Sequence, residues 1–140
     1  MLLGKSTNTL DPKGRVIIPA TFREDLNTRF FLTRGLDRCL YIYSTKEWES
    51  FVERLRNSLP SSKQGNRDAI KHFIHNAVEC EIDKQGRILI PQELREYAML
   101  DKDILFVGDY SKVEVWNPQM YKEADVDLVR STLEEMNIIL

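Results

Sequence analysis

Two cysteines, two histidines and six glycines among 140 residues leave few means for several familiar chemistries. A disulfide framework needs a denser cysteine pattern, so Cys39 and Cys80 read as reduced, small core residues. His72, His75 and Cys80 fall close together, but the His-x-x-His-x4-Cys spacing matches no common zinc pattern and offers no fourth ligand. No metal is expected. The chain has no G-x-S-x-G, no glycine-rich phosphate loop and no H-E-x-x-H, and nowhere do a nucleophile and a base converge. No catalytic residue, cofactor or small-molecule substrate is therefore assigned. No apolar run approaches the roughly 18 residues that span a bilayer, and Met1-Leu-Leu-Gly-Lys-Ser6 lacks a signal-peptide layout. The expectation is a cytoplasmic protein with no membrane partner.

Strong charge of one sign is also missing. The net charge is −2 and the sequence pI about 5.7, which argues against indiscriminate nucleic-acid binding. The distribution is uneven, however. Residues 1–23 carry Lys5, Lys13, Arg15 and Arg23 against Asp11 alone, whereas residues 122–140 carry five acids and two bases. A basic N-terminal face can still meet a polyanion locally.

What is present is a repeat. Asp11-Pro-Lys-Gly-Arg-Val-Ile-Ile-Pro-Ala-Thr-Phe-Arg-Glu24 returns 72 positions later as Asp83-Lys-Gln-Gly-Arg-Ile-Leu-Ile-Pro-Gln-Glu-Leu-Arg-Glu96, with seven positions identical. With one residue of slip, Gly35 falls on Gly108, Leu40-Tyr-Ile-Tyr43 on Val113-Glu-Val-Trp116, Ser44 on Asn117 and Trp48 on Tyr121. Such a period means two copies of one unit. Each unit reads as turn, strand, short helix, strand, hairpin, strand and capped helix. At about 45 residues a unit is close to the limit below which one core is hard to stabilise alone, so the two copies are expected to share a core. The division expected is 1–57 for the first unit with its helix, 58–76 for a linker and helix, 77–122 for the second unit, and 123–140 for an acidic helix or tail.

Within each unit, Val16-Ile-Ile18 reads as an apolar strand buried on both faces, and Pro19 suits the first position of a helix with Phe22 and Leu26 on its apolar stripe. Leu94 and Ala98 repeat that stripe. Gly35 and Gly108 mark turns. Ser44-x-x-Glu47 is a capping box, followed by the stripe Trp48, Phe51, Val52 and Leu55. Ile70, Phe73, Ile74 and Ala77 share one face of a further helix, and Val129, Leu133 and Met136 predict a C-terminal amphipathic helix docked on this or a neighbouring chain. Trp48, Tyr121, Tyr41 and Tyr43 fall at core periodicities and read as packing, not as stacking platforms.

The chemistry sits in the turns. Pro12 and Gly14 are turn residues, as is Gly86. Asp11 and Asp83 suit acceptance of turn amides and orientation of Arg15 and Arg87 by a charge-assisted bond. A guanidinium held in this way is prepared for phosphate or a guanine edge; equally, the Asp–Arg pair can serve only to lock the turn. Arg23-Glu24 and Arg95-Glu96 read as a solvated face or as ion pairs between units.

The phrase D-x-K/Q-G-R-[VIL]-x-I-P-x-x-[FL]-R-E, present twice, resembles the SpoVT/AbrB-type swapped-hairpin DNA-binding module. Two copies, with Leu32-Thr-Arg-Gly-Leu-Asp37 after the first and Ala77-Val-Glu-Cys-Glu81 before the second, resemble the MraZ family. The likeness implies an α+β fold of two tandem swapped-hairpin modules that form one pseudo-symmetric β-barrel core with peripheral helices. It implies a sequence-specific, nucleoid-associated transcriptional regulator of its own division and cell-wall gene cluster, not an enzyme. Its partners would be double-stranded DNA with promoter direct repeats, and itself as a ring homo-oligomer. The family's D-x-x-x-R motif falls on Asp11 and Arg15 and again on Asp83 and Arg87, and the DNA-binding residues expected are Arg15, Lys13, Arg87, Lys84 and Lys5, with Asp11, Gly14, Asp83 and Gly86 orienting the motif. Lys13 has Gln85 at the matching place, so unequal roles are expected for the two copies. The rival expectation is a structural or protein-interaction ring without specific DNA binding.

Overall fold

Leu2–Thr9 and Val78–Glu81, the segments that lead into the two copies of the phrase, are both strands, and each pairs with the other copy. The computed structural model describes residues 1–140. The strands are β1 (Leu2–Thr9), β2 (Arg15–Ile17), β3 (Arg29–Arg34), β4 (Leu40–Ser44), β5 (Val78–Glu81), β6 (Arg87–Leu89), β7 (Asp103–Tyr110) and β8 (Val113–Trp116). The helices are α1 (Ala20–Leu26), α2 (Thr45–Ser58), α3 (Gln64–Ile70), α4 (Gln92–Tyr97) and α5 (Val126–Glu135), and α3 runs on into a π-helical turn over Lys71–His75. The class is α+β.

Six strands form an antiparallel sheet in the order β1-β7-β8-β4-β3-β5, and β2 pairs with β6 in a separate two-stranded ribbon. The expected barrel does not form. β2 and β6 are three residues each and spend their ladder on one another, so neither bridges the free edges at β1 and β5.

An approximate two-fold relates the copies through two cross-strand pairs. Val16 faces Ile88, with Arg15 opposite Leu89 and Ile17 opposite Arg87. Tyr41 faces Glu114, with Leu40 opposite Val115 and Ile42 opposite Val113. The backbone repeats the symmetry at the ribbon's ends, where Ile18 N donates to Gly86 O at 2.9 Å and Ile90 N to Gly14 O at 2.8 Å.

One core serves both copies. Val16, Ile18, Phe22, Leu26, Phe30, Leu32, Leu40 and Ile42 from the first pack with Ile88, Ile90, Leu94, Ala98, Ile104, Phe106, Val113 and Val115 from the second. Strand alternation puts Phe30, Leu32, Leu40, Ile42, Ile104, Phe106, Val113 and Val115 on the sheet's inner face, and the ribbon and the short helices α1 and α4 supply the rest. The outer face is treated unequally. Over the first copy, α2 is capped by Ser44 Oγ, which accepts from Glu47 N at 3.2 Å, and lays Trp48 on Phe31 (5.3 Å) and Phe51 on Tyr43 (4.9 Å). These aromatics are packing, as expected. Trp116 and Tyr121 repeat the Tyr43–Trp48 contact at 5.5 Å, but no helix starts at the place that matches α2. Asn117 caps only a turn, accepting from Gln119 N, and its amide donates to Met99 O.

Other local expectations change as well. Pro19 is the residue before α1, not its first. Gly108 lies inside β7 and makes no turn: a Cβ there would sit 2.5 Å from Leu3 N, so only glycine lets β1 approach. Ala77 falls beyond the π-helical turn. α5 leaves Val126, Leu128 and Val129 exposed, as is Met136 just after it, and only Leu133 is partly buried, so the helix does not dock on its own chain. Cys39 and Cys80 are buried free thiols, and burial pushes both up to about 12, which keeps them protonated and unreactive. The His72 Nε2 donates to Gly35 O at 2.8 Å, which Tyr97 Oη also reaches at 2.8 Å, so His72 is spent tying the π-helical turn to β3 and α4. No helix is long and apolar enough to cross a membrane.

Candidate nucleic-acid interface

Each turn is built by one carboxylate. Asp11 Oδ1 accepts from Lys13 N and Arg15 N, both at 2.9 Å, while Oδ2 accepts from Arg15 Nε at 2.7 Å. Asp83 does the same for Gln85 N (2.9 Å), Arg87 N (2.8 Å) and Arg87 Nε (2.9 Å). Gly14 N and Gly86 N close the turns on the carbonyls of Asp11 and Asp83, with φ of 87° and 80° that favour glycine. The salt bridge is therefore real, and it is made through Nε. The two terminal nitrogens of each guanidinium bond nothing within the chain, so the pair locks the turn and leaves a donor fork without a partner.

The Arg15 and Arg87 amides, ahead of the guanidinium bonds, hold the Asp11 and Asp83 carboxyls below the ordinary carboxylate range. A carboxyl depressed in the folded state stabilises it fully above the unfolded pKa of about 3.9 and loses that contribution as pH falls through the folded value. Both turns should thus stay intact through mild acid and open only below about pH 4. Thermal melts between pH 6 and 2 should show an acid limb that is shallower in an Asp11→Asn, Asp83→Asn variant. Carboxyl NMR resonances titrating at the ordinary aspartate value would contradict the assignment.

Pleating decides what the ribbon shows. Val16 and Ile88 point into the core at 1% and 2% exposure, which turns Arg15, Ile17, Arg87 and Leu89 outward. Ile17 is 44% and Leu89 57% exposed, so the strand thought to be buried on both faces is buried on one. The ribbon covers the core from above; on its outward face Ile17 and Leu89 are exposed, while the Arg15 and Arg87 side chains are partly covered, at 34% and 26% exposure. Strand spacing puts the Arg15 and Arg87 Cα atoms roughly 8 Å apart, on a diagonal.

The arginines of the short helices have a role that was not legible. Arg23 lies over Gly86 and Arg95 over Gly14, so close that a Cβ on either glycine would meet the guanidinium at 2.6 and 2.5 Å. Each copy thereby braces the other copy's turn. Arg23 Nε is fixed by Ile18 O at 2.9 Å, whereas the buried Arg95 Nε has no partner. The exact repetition of Arg-Glu at the same place in both copies was the available signal. Lys13 and Lys84 are exposed within the turns. Lys5 is not among them: its Nζ pairs with Glu123 at 2.7 Å and lies over the Tyr121 ring.

The sequence is similar to that of known proteins. The model of the MraZ protein family, described as antitoxin-like, matches residues 1–71 and 73–132. A transcriptional regulator MraZ of Caldanaerobacter subterraneus subsp. tengcongensis is 50% identical over 123 residues, which are 88% of this chain and 85% of that one. The protein of the same name from Thermoanaerobacter sp. is 46% identical over 99% of this chain and 100% of its own, and that from Lachnoclostridium phytofermentans 44% identical over 98% and 96%.

Proposed function

The chain belongs to the MraZ family of transcriptional regulators, and from that premise we propose that its two-stranded ribbon is the surface that reads DNA. The single observation that carries this reading is the ribbon's outward face, where two arginines are anchored through Nε and keep their terminal nitrogens free. A B-DNA major groove is wide enough to admit a two-stranded ribbon, and a guanidinium fork matches phosphate oxygens or the guanine O6/N7 edge. Lys13 beside the first turn and Lys84 beside the second add charge for the phosphates, and Asp11, Gly14, Asp83 and Gly86 set the geometry. The exchange of β1 and β5 between copies supports the swapped-hairpin module as the unit of this surface.

One ribbon is small, so affinity comes from several chains binding together. A ring of chains on direct repeats upstream of its own gene cluster, within the nucleoid, is the arrangement proposed. α5 supplies a means of assembly, since Val126, Val129 and Ile138 stand uncovered by the chain itself. The test is a salt series. Affinity for a duplex carrying the protein's own upstream DNA should fall steeply and log-linearly between about 50 and 300 mM salt, as phosphate contacts release counterions. A flat series, or equal affinity for unrelated DNA, would favour an assembly without specific DNA binding.

A further inference from the structure

Ile17 and Leu89 are the largest unexplained feature of the ribbon. Neither packs in the core, and both are aliphatic where the alternation invites a polar residue. Their place is specific: Leu89 is the cross-strand partner of Arg15, and Ile17 is the cross-strand partner of Arg87. Each arginine therefore has an aliphatic residue as its direct partner on the same face, with Cα atoms about 5 Å apart. The backbone of Ile17 is held as well, its carbonyl accepting from Asn8 Nδ2, while Cys80 at the matching place in the second copy makes no such bond.

A surface that carries two cations and two aliphatics fits a partner that is anionic and yet offers isolated apolar groups. The major groove is such a partner, because each thymine presents a C5 methyl there beside the polar base edges. We propose that Ile17 and Leu89 read thymine methyl groups while Arg15 and Arg87 hold the neighbouring base edges or phosphates. This rests on the ribbon being the DNA-reading surface and adds a specificity term to it. Arginine does not supply that term, since its fork reads a guanine edge or a phosphate and neither contact registers a thymine methyl.

The test compares two upstream duplexes that differ only in having thymine or deoxyuracil throughout, which removes the methyl and keeps the pairing. Wild-type chain should bind the thymine duplex more tightly, by about fourfold for each methyl engaged, the worth of one buried methyl-sized group. An Ile17→Ala, Leu89→Ala variant should bind the two duplexes equally, with its circular dichroism and assembled size unchanged. Equal binding of both duplexes by the wild type, an arm that needs no variant, would overturn the inference while leaving DNA recognition intact. A double variant that keeps the thymine preference and changes its assembled size would overturn it in favour of a second copy of this chain on the ribbon. Failure of the wild type to prefer either duplex over random DNA would overturn the DNA reading itself, and this inference with it.

Discussion

An Arg15→Ala, Arg87→Ala variant should fold and assemble like the wild type and lose specific DNA binding. Each arginine is expected to contribute roughly 1–3 kcal/mol where it is engaged, so the pair costs about 2–6 kcal/mol per bound chain. Folding should survive because the turn does not depend on the guanidinium. Asp11 Oδ1 still accepts from the amides of residues 13 and 15, Asp83 Oδ1 from those of residues 85 and 87, and both sets are backbone bonds. What the substitutions remove from the fold is two part-exposed ion pairs, each worth up to about 1 kcal/mol. Anisotropy binding, a thermal melt and a sedimentation run on the same sample separate the two effects. Of the single variants, Arg15→Ala should weaken binding more, because Lys13 supports the first turn where the second has Gln85. If the double variant binds DNA normally and falls apart as an assembly, the arginines are structural and the interaction-ring reading prevails.

The turn was legible because its chemistry is local. Asp, Gly and Arg within five residues specify an accepting carboxylate, a left-handed glycine and a guanidinium within reach, and both copies obey this to within 0.2 Å in the Nε–Oδ2 distance. The shared core was legible for a related reason, since two units of this size must bury one another. What escaped depends on contacts distant in sequence. β1 buries little beyond Leu2, and its order comes from a ladder to β7 that runs from Leu2↔Tyr110 to Thr9↔Asp103. Backbone bonds leave no hydrophobic period to read. Arg23 and Arg95 escaped likewise, because the glycines they cover lie in the other copy. The expected barrel failed on pairing: β2 and β6 bond only to each other, so the six-stranded sheet ends at β1 and β5. Asn117 shows the limit of arguing by repeat. A good cap makes no helix when the apolar stripe that would dock it is absent, and after Asn117 only Tyr121 holds the place of Trp48.

Inserting half a helical turn between two neighbouring operator repeats should remove most of the affinity that the second repeat confers. The outward face of the ribbon offers four side chains, Arg15, Ile17, Arg87 and Leu89, far short of the surface that specific DNA complexes bury. One chain must therefore bind weakly. Chains joined in one assembly convert each later contact into an intramolecular event, and the gain reaches about 10²–10⁴-fold when the geometry allows both contacts at once. Identical ribbons at fixed intervals meet identical groove faces only where repeats recur near one helical turn, roughly 10–10.5 bp. A shift of about 5 bp turns the second repeat to the far side of the duplex, where the assembly cannot reach it. The experiment titrates one assembly against a single repeat, two repeats in phase and two repeats half a turn out of phase. The third should behave like the first. Sedimentation at the same concentrations is the control, and a stable monomer at micromolar concentration would remove the premise. Equal affinity for the two double sites, with the assembly intact, would make each ribbon an independent reader and leave the ring without a part in recognition.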